Sequence, residues 1–177
     1  MVKIGPFGST AFEEGNHDIT VALQRLQSIT IRHGFVVDAV AFTYKDSNGL
    51  EHTTGQWGGN GGSSTTVSSM LYFYSIRIPD LVTFCVYPST QITLEPHEFV
   101  KEVHGLYGFY TYGACDGVAN FTIVTNLRTY GPFGQSDKIK EPKSFDIPIM
   151  NNGSIVGFFA HCNKIYVEAI GFYVKPF

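Results

Sequence analysis

Short runs in which apolar and polar residues alternate recur along most of the chain. The clearest run covers residues 36–44, and it is followed by Asn48-Gly49, a pair that favours a tight hairpin turn, and by a return strand at 50–54. Residues 21–32 begin with helical spacing but end in alternation, so a strand is favoured there over a helix. Further strands are predicted at 92–94, 99–104, 120–125, 154–159 and 165–174. The pattern as a whole predicts an all-β protein.

Composition and charge narrow the class of protein. The 177 residues, with 19 Gly, 15 Phe and only 15% charged residues, indicate a single folded domain spanning 1–177. A net charge of −3 lacks the basic excess expected for binding to nucleic acid or to an anionic membrane. The N-terminal residues lack the apolar core of a secretory signal, and Arg77, Pro79 and Asp80 interrupt the most apolar stretch. We therefore expect no membrane insertion and a cytoplasmic location.

Cysteine, histidine and carboxylate spacings do not form a recognisable metal or catalytic motif. The cysteines are Cys85, Cys115 and Cys162, an odd number with wide spacing, which fits a reducing compartment better than a disulfide framework. The six histidines lack the HxxxH or HxH spacing of a metal site. Glu13-Glu14 with Asp116 or Glu168 would be a glycosidase pair of carboxylates, but no sequence feature supports a raised pKa there. We therefore expect no cofactor, no metal and no enzymatic activity.

A glycine-aromatic signal occurs three times along the chain. The copies are IGPFG at 4–8, GLYGFYTYG at 105–113 and TYGPFG at 129–134. Repetition of one hairpin signal predicts several similar sheets packed around one core, and three copies suit a three-fold arrangement.

Five separated blocks of the sequence resemble the jacalin-related lectins and occur in the order of that family. The blocks are IGPFGSTAFEEG at 4–15, VVDAVAFTYKDSNG at 36–49, ITLEPHEFVKEVHGLYG at 92–108, FTIVTNLRTYGPFG at 121–134 and SIVGFF to IYVEAIGFYV at 154–174. The resemblance implies a β-prism of three four-stranded Greek-key antiparallel sheets, with a metal-free sugar site in loops at one end. It also implies binding of mannose/glucose-type sugars or, in another group of members, galactose. Cytoplasmic or nuclear mannose binders induced by stress in plants form the largest group of the family, and dimers are common.

One block does not fit the resemblance. Residues 67–91 look like a hydrophobic insertion between Thr66 and Ile92, which the family pattern would join directly. Three interpretations stay open: a loop that packs aromatic side chains on a sheet face, sequence retained by imperfect splicing, or a partner-binding patch.

The resemblance places the sugar site on three loops. The N-terminal loop contributes Gly8 and Ser9, and Ser9 stands where many members have a second glycine, so a positive φ there would be strained. The second loop follows the GxxxD motif of the family, in which backbone N–H groups and one carboxylate bind two adjacent sugar hydroxyls. The matching run is 164–168, with Lys164 in place of Gly and Glu168 in place of Asp. Because this loop is about one residue longer than the usual pattern, Asn163 is an alternative match for the Gly.

The remaining site residues come from the same comparison. Within the second loop, Ile165 and Tyr166 lie between the two altered positions, and the third loop, 113–117, contributes Cys115 and Asp116. Three aromatic side chains are candidates for the flat surface on which a sugar ring stacks, namely Tyr166, Tyr112 and Phe109.

The first functional hypothesis is a non-enzymatic lectin. Its partners are mannose-type mono- or oligosaccharides and glycoproteins, it forms a homodimer, and its specificity is altered or weakened by Lys164 and Glu168. The alternative is a β-prism protein-interaction module that has lost sugar binding and works through residues 67–91. A glycosidase is a more distant third hypothesis.

Overall fold

The computed structural model describes residues 1–10, 15–61, 89–149 and 153–176, and in these ranges the chain forms strands and turns but no helix. The strands are β1 Val2–Gly8, β2 Asn16–His17, β3 Leu23–His33, β4 Val37–Asp46, β5 Glu51–Thr53, β6 Trp57–Gly58, β7 Ser89–Thr93, β8 Val100–Tyr110, β9 Asp116–Thr125, β10 Thr129–Gly134, β11 Ile139–Pro148, β12 Gly153–Cys162 and β13 Val167–Pro176. The all-β class predicted from the alternating pattern is therefore confirmed.

The strands form one eight-stranded and one five-stranded sheet, and the pairings are antiparallel. The eight-stranded sheet has the order β1-β13-β12-β8-β9-β10, with β11 on β8 and β2 on β12. Among the described residues, its two halves meet at one residue pair, Ile155 with Val100. In the five-stranded sheet, β5 and β6 pair with different parts of β4 and so form one interrupted edge. The expectation of three separate four-stranded sheets is not reproduced in that form, because this bridging pair joins two groups of four strands.

The β3–β4 and β4–β5 hairpins show how well the local signals predict structure. Gly49 has a φ of +81° and its N–H donates to Asp46 at 3.0 Å, which confirms the predicted tight turn. Residues 23–33 form a strand, as favoured over a helix, although the buried side chains at Leu23 and Leu26 are three positions apart. Register shifts on both sides of Leu26 explain this helix-like spacing, because each irregularity changes the alternation.

The repeated glycine-aromatic signals have two different structures. IGPFG lies in β1 and TYGPFG in β10, the first and last strands in the order of the eight-stranded sheet. Each of the two strands has a cis Gly-Pro bond and a register shift at that bond. GLYGFYTYG instead lies in β8 and in the turn that follows it, where β8 pairs with strands on both sides. The three copies therefore occupy two kinds of strand position, and the repeat does not mark the same place in each group of strands.

A continuous set of aromatic rings holds the groups of strands together. Phe42 of β4 lies 5.4 Å from Phe158 of β12 between ring centroids, and Phe158 lies 5.5 Å from Phe172 of β13. Phe172 in turn contacts Phe145 of β11 at 5.9 Å, and Phe145 stacks on Phe7 of β1 at 5.1 Å. Phe7 is partly buried, and each of the other four, fully buried side chains contributes about 1.5–3 kcal/mol of hydrophobic stabilisation. This core fixes the positions of the turns at the ends of the strands.

Most of the apparent insertion, residues 67–88, lies outside the described residues. Its last three residues, 89–91, begin β7, which pairs with β3 over Ser89–Thr93. Residues 92 and 93 of the strand predicted at 92–94 thus belong to a strand that starts within the apparent insertion, while Leu94 lies just beyond its end.

Candidate functional site

Three segments that the sequence singled out meet at one end of the strands, and we call them the site loops: residues 8–9, 113–117 and 163–168. Gly8 at the end of β1 pairs with Ala169 of β13, and the Ser9 N–H donates to the Glu168 carbonyl at 3.2 Å. Gly8 has a φ of +124°, and a Cβ there would lie 2.1 Å from that carbonyl oxygen. Glycine is therefore required at this contact. The strain expected for Ser9 does not arise, because Glu141 is the residue with a positive φ among the described non-glycine residues.

The β12–β13 connection is a turn held by the side chain of Asn163. The Asn163 N–H donates to the Tyr166 carbonyl at 3.2 Å, which closes the turn. The Asn163 Oδ1 accepts hydrogen bonds from the N–H groups of Ile165 and Tyr166 at 2.7 and 2.8 Å, an arrangement typical of asparagine at a turn. The predicted C-terminal strand consequently begins at Val167 and not at Ile165.

The Glu168 carboxylate lies beneath this turn and is 2% exposed. Its Oε1 accepts hydrogen bonds from Asn163 Nδ2 at 2.7 Å and from the Cys115 thiol at 3.2 Å. Burial raises the pKa of Cys115, so the thiol stays protonated at neutral pH and acts as a donor. Lys164 is exposed and, within the part of the chain that is described, makes no ion pair with Glu168. Asn163 and Cys115, and not Lys164, therefore contact the carboxylate.

The aromatic side chains near the site loops divide into buried and exposed groups. Tyr166 is 2% exposed, packs edge-on against Tyr110 at 5.3 Å and has its hydroxyl 3.5 Å from the Cys115 sulfur. Burial raises the pKa of Tyr166. The expectation that its ring offers a surface for a sugar is wrong, because a ring packed under the turn cannot stack on a ligand. Tyr112 and Phe109 are 69% and 41% exposed, so their rings are still candidates for stacking on a sugar.

Asp116 begins β9, is half-buried and pairs with Phe109 of β8. The segment that carries it is packed against Tyr166, since Gly113 lies where a Cβ would come within 2.3 Å of the Tyr166 hydroxyl. Glu13 and Glu14, which were considered with Asp116 or Glu168 as a catalytic pair of carboxylates, lie outside the described residues.

Sequence reasoning missed two further features at this end of the molecule. A Cβ at Gly59 would lie 2.2 Å from the Ile165 carbonyl, so the loop after β6 packs on the 163–166 turn. Next to it, Asp38 has a buried Oδ2 without a hydrogen-bond partner, and burial raises its pKa to about 6 although Arg32 lowers it. The run GGNGG at 58–62 was the available signal, because closely spaced glycines indicate close approach of two backbones.

A groove of about 570 Å³ lies elsewhere and includes none of the predicted site residues. Its lining includes Arg25, Glu98 and Lys175. Glu98 is 1% exposed and accepts hydrogen bonds from Thr125 and Tyr130, so its role there is structural.

The described ranges contain no helix that could span a membrane.

One side-chain cluster has the composition of a metal site. Glu102, His104 and Asp146 bring three possible ligand atoms within 4.8 Å of one another on the surface of β8 and β11. His104 and Glu102 already share a hydrogen bond of 2.6 Å and both are partly exposed. The hydrogen bond between His104 and Glu102 accounts for the proximity of these two side chains without a metal ion.

Comparison with known proteins gives a consistent result. The sequence model of the jacalin-like lectin domain matches residues 4–173. Horcolin of Hordeum vulgare is 30% identical over 176 residues, covering 99% of this chain and 97% of horcolin. A mannose/glucose-specific lectin of Parkia platycephala is also 30% identical, but the chain spans only 32% of that longer protein. Among solved structures, a mannose-binding jacalin-related lectin from Ananas comosus superposes with a TM-score of 0.75 at 30% identity, covering 99% of this chain and 98% of that one.

Proposed function

The chain belongs to the jacalin-like lectin family and is a carbohydrate-binding lectin, and we propose on that premise that it binds mannose/glucose-type sugars at the site loops. Similarity to the Parkia lectin described as mannose/glucose-specific and to the mannose-binding Ananas lectin supports this sugar class. The proposed contacts are Gly8, Ser9, Cys115, Asp116, Lys164, Ile165, Tyr166 and Glu168.

The observation that carries the proposal is the set of polar groups on the 163–168 turn. The N–H groups of Ile165 and Tyr166 lie beside the Glu168 carboxylate, since one asparagine side chain hydrogen-bonds all three. Two donors next to a charged acceptor fit a pair of adjacent hydroxyls, of which one accepts and the other donates. Tyr166 thus contributes through its backbone, while its buried ring supports the turn.

The proposed activity is reversible binding without a covalent step. Cys115 is a poor nucleophile because burial raises its pKa, and its thiol is already hydrogen-bonded to Glu168. We also propose that residues 1–177 act as one domain in the cytoplasm or nucleus and recognise glycoproteins carrying mannose-type glycans. A homodimer would raise the effective affinity for such glycans by presenting two sites. An interaction through residues 67–91 stays an alternative role.

Calorimetric titration tests the proposed function. The purified chain is titrated with methyl α-mannoside, with a trimannoside and with methyl α-galactoside, and we expect saturable heat with the first two only. Glu168→Ala should abolish binding, because it removes the charged acceptor. Glu102→Ala, at a carboxylate on the surface of β8, is the matched control and should bind as the parent does. A folded parent protein that gives no heat with any sugar contradicts the proposal.

A further inference from the structure

The Asn163 side chain hydrogen-bonds the three polar groups that carry the proposed function, namely the N–H groups of Ile165 and Tyr166 and the Glu168 carboxylate. We propose that the Asn163 carboxamide is a built-in competitor for the sugar, so that a ligand must displace it to reach the turn. This inference rests on the proposed function and adds a residue that determines affinity and specificity at the same site.

The argument begins with hydrogen-bond capacity. Asn163 Oδ1 accepts from the Ile165 and Tyr166 N–H groups at 2.7 and 2.8 Å, and Asn163 Nδ2 donates to Glu168 Oε1 at 2.7 Å. Each backbone N–H supplies a single hydrogen, so a sugar hydroxyl cannot form a full hydrogen bond to these groups while Asn163 keeps its own.

The carboxamide also shows what kind of ligand could replace it. It presents one acceptor to the two N–H groups and, close beside it, one donor to the carboxylate. Two adjacent hydroxyls of a sugar offer the same pattern, because the oxygen of one accepts while the hydrogen of the other is donated. A ligand whose hydroxyls diverge can replace the Asn163 hydrogen bonds on one side of this pattern only, so either the two N–H groups or the carboxylate lose a bond that the ligand does not restore. Asn163 therefore makes the site selective for paired hydroxyls.

Burial makes the competition matter. Glu168 is 2% exposed, and Asn163 covers it together with Cys115. An acceptor in this position is not reached by a ligand that approaches from solvent unless the Asn163 side chain rotates away. The rotation is open to it because Asn163 itself is only half-buried.

A second asparagine provides a matched control. The Asn126 side chain accepts a hydrogen bond from the Phe99 N–H at 2.9 Å and donates to the His97 carbonyl at 3.1 Å. Asn126 thus also stabilises a turn through its carboxamide, but His97 and Phe99 line the groove away from the site loops. Asn126→Ala measures the cost of removing such a bridge without opening the site.

The experiment titrates the parent, Asn163→Ala, Asn163→Gly and Asn126→Ala with methyl α-mannoside by calorimetry. We expect Asn163→Ala to bind about tenfold more tightly than the parent, because displacing the carboxamide no longer opposes binding. Asn163→Gly covers the case in which alanine distorts the turn, and Asn126→Ala should stay within about twofold of the parent.

Amide hydrogen exchange gives a second measurement on the same proteins. Without sugar, the Ile165 and Tyr166 amides should exchange slowly in the parent and quickly in Asn163→Ala, and saturating sugar should restore protection in the variant. Equal or weaker binding by both Asn163 variants overturns this inference while leaving the proposed function in place. No binding by the parent or by any variant overturns the proposed function and this inference with it.

Discussion

Gly8 joins the end of β1 to the backbone of Glu168, and its substitution by alanine should disturb both stability and sugar binding. An added Cβ would lie 2.1 Å from the Glu168 carbonyl oxygen and 2.8 Å from the Ala169 Cα, whereas ordinary contacts begin at 3.4 Å. The strands would therefore have to separate by roughly 1 Å, and alanine would also have to adopt a φ of +124°. Together the strain and the overlap cost about 3 kcal/mol.

Three other glycines separate these two effects. Gly59 has the close approach without a positive φ, since its Cβ would lie 2.2 Å from the Ile165 carbonyl. Gly49 has a φ of +81°, but a Cβ added there would have no other atom within 4 Å. Gly55 has neither a positive φ nor a close approach. We expect Gly55→Ala to change the free energy of unfolding by less than about 0.5 kcal/mol and Gly49→Ala to cost about 1 kcal/mol.

Thermal unfolding followed by circular dichroism, with calorimetric titration of each folded variant, is the assay. Gly8→Ala should lower Tm by roughly 6–12 °C for a chain of this length, and it should weaken binding of methyl α-mannoside. Gly59→Ala should also weaken binding, whereas Gly49→Ala and Gly55→Ala should not. If Gly8→Ala melts within about 2 °C of Gly49→Ala, the close packing of β1 on Glu168 is refuted.

Three further predictions concern charge and exposure. Because burial raises the pKa of Asp38 to about 6, the folded chain holds this proton more tightly than the unfolded chain does, so stability should increase as pH falls from about 7 to about 4. Asp38→Asn should remove this increase. At pH 7.5 it should raise Tm by about 2–4 °C, because removing the charge at this partly exposed side chain stabilises the fold by about 1 kcal/mol. Identical profiles of Tm against pH for the parent and Asp38→Asn would contradict this prediction. Glu98→Gln, which weakens the hydrogen bonds from Thr125 and Tyr130, should cost about 2 kcal/mol in denaturant unfolding without changing sugar affinity, and loss of affinity would show that the two regions are coupled. Tyr112→Ala, at a side chain 69% exposed, should leave Tm within about 2 °C but weaken trimannoside about fivefold in calorimetry, and unchanged affinity would exclude Tyr112 as a stacking surface.

The predictable part of the fold is the part governed by local rules. Alternation in β4 and the Asn48-Gly49 turn were sufficient because the neighbours that matter there are close in sequence. The spacing of Leu23 and Leu26 was misleading because register shifts depend on the partner strand. The single pair between Ile155 and Val100, which joins two groups of strands, has no counterpart in any local pattern.

The candidate site shows a similar division. The resemblance was sufficient to select Gly8, Cys115 and Glu168, which the structure brings together. It could not predict that Tyr166 is buried, because which side of a turn a ring occupies depends on the strands packed around it. The role of Asn163 depends on three hydrogen-bond directions, and these are set only once the turn has formed.

The central claim is that sugar binds at the site loops. Two-dimensional amide NMR of the parent protein during titration with methyl α-mannoside tests it most directly, with methyl α-galactoside as the control. Saturable shifts should be confined to the amides of Ser9, Ile165, Tyr166 and their neighbours, while those of Phe99 and Asn126 stay unchanged. Shifts centred on Phe99 and Asn126, or no shifts at saturating mannoside from a folded sample, would contradict the account.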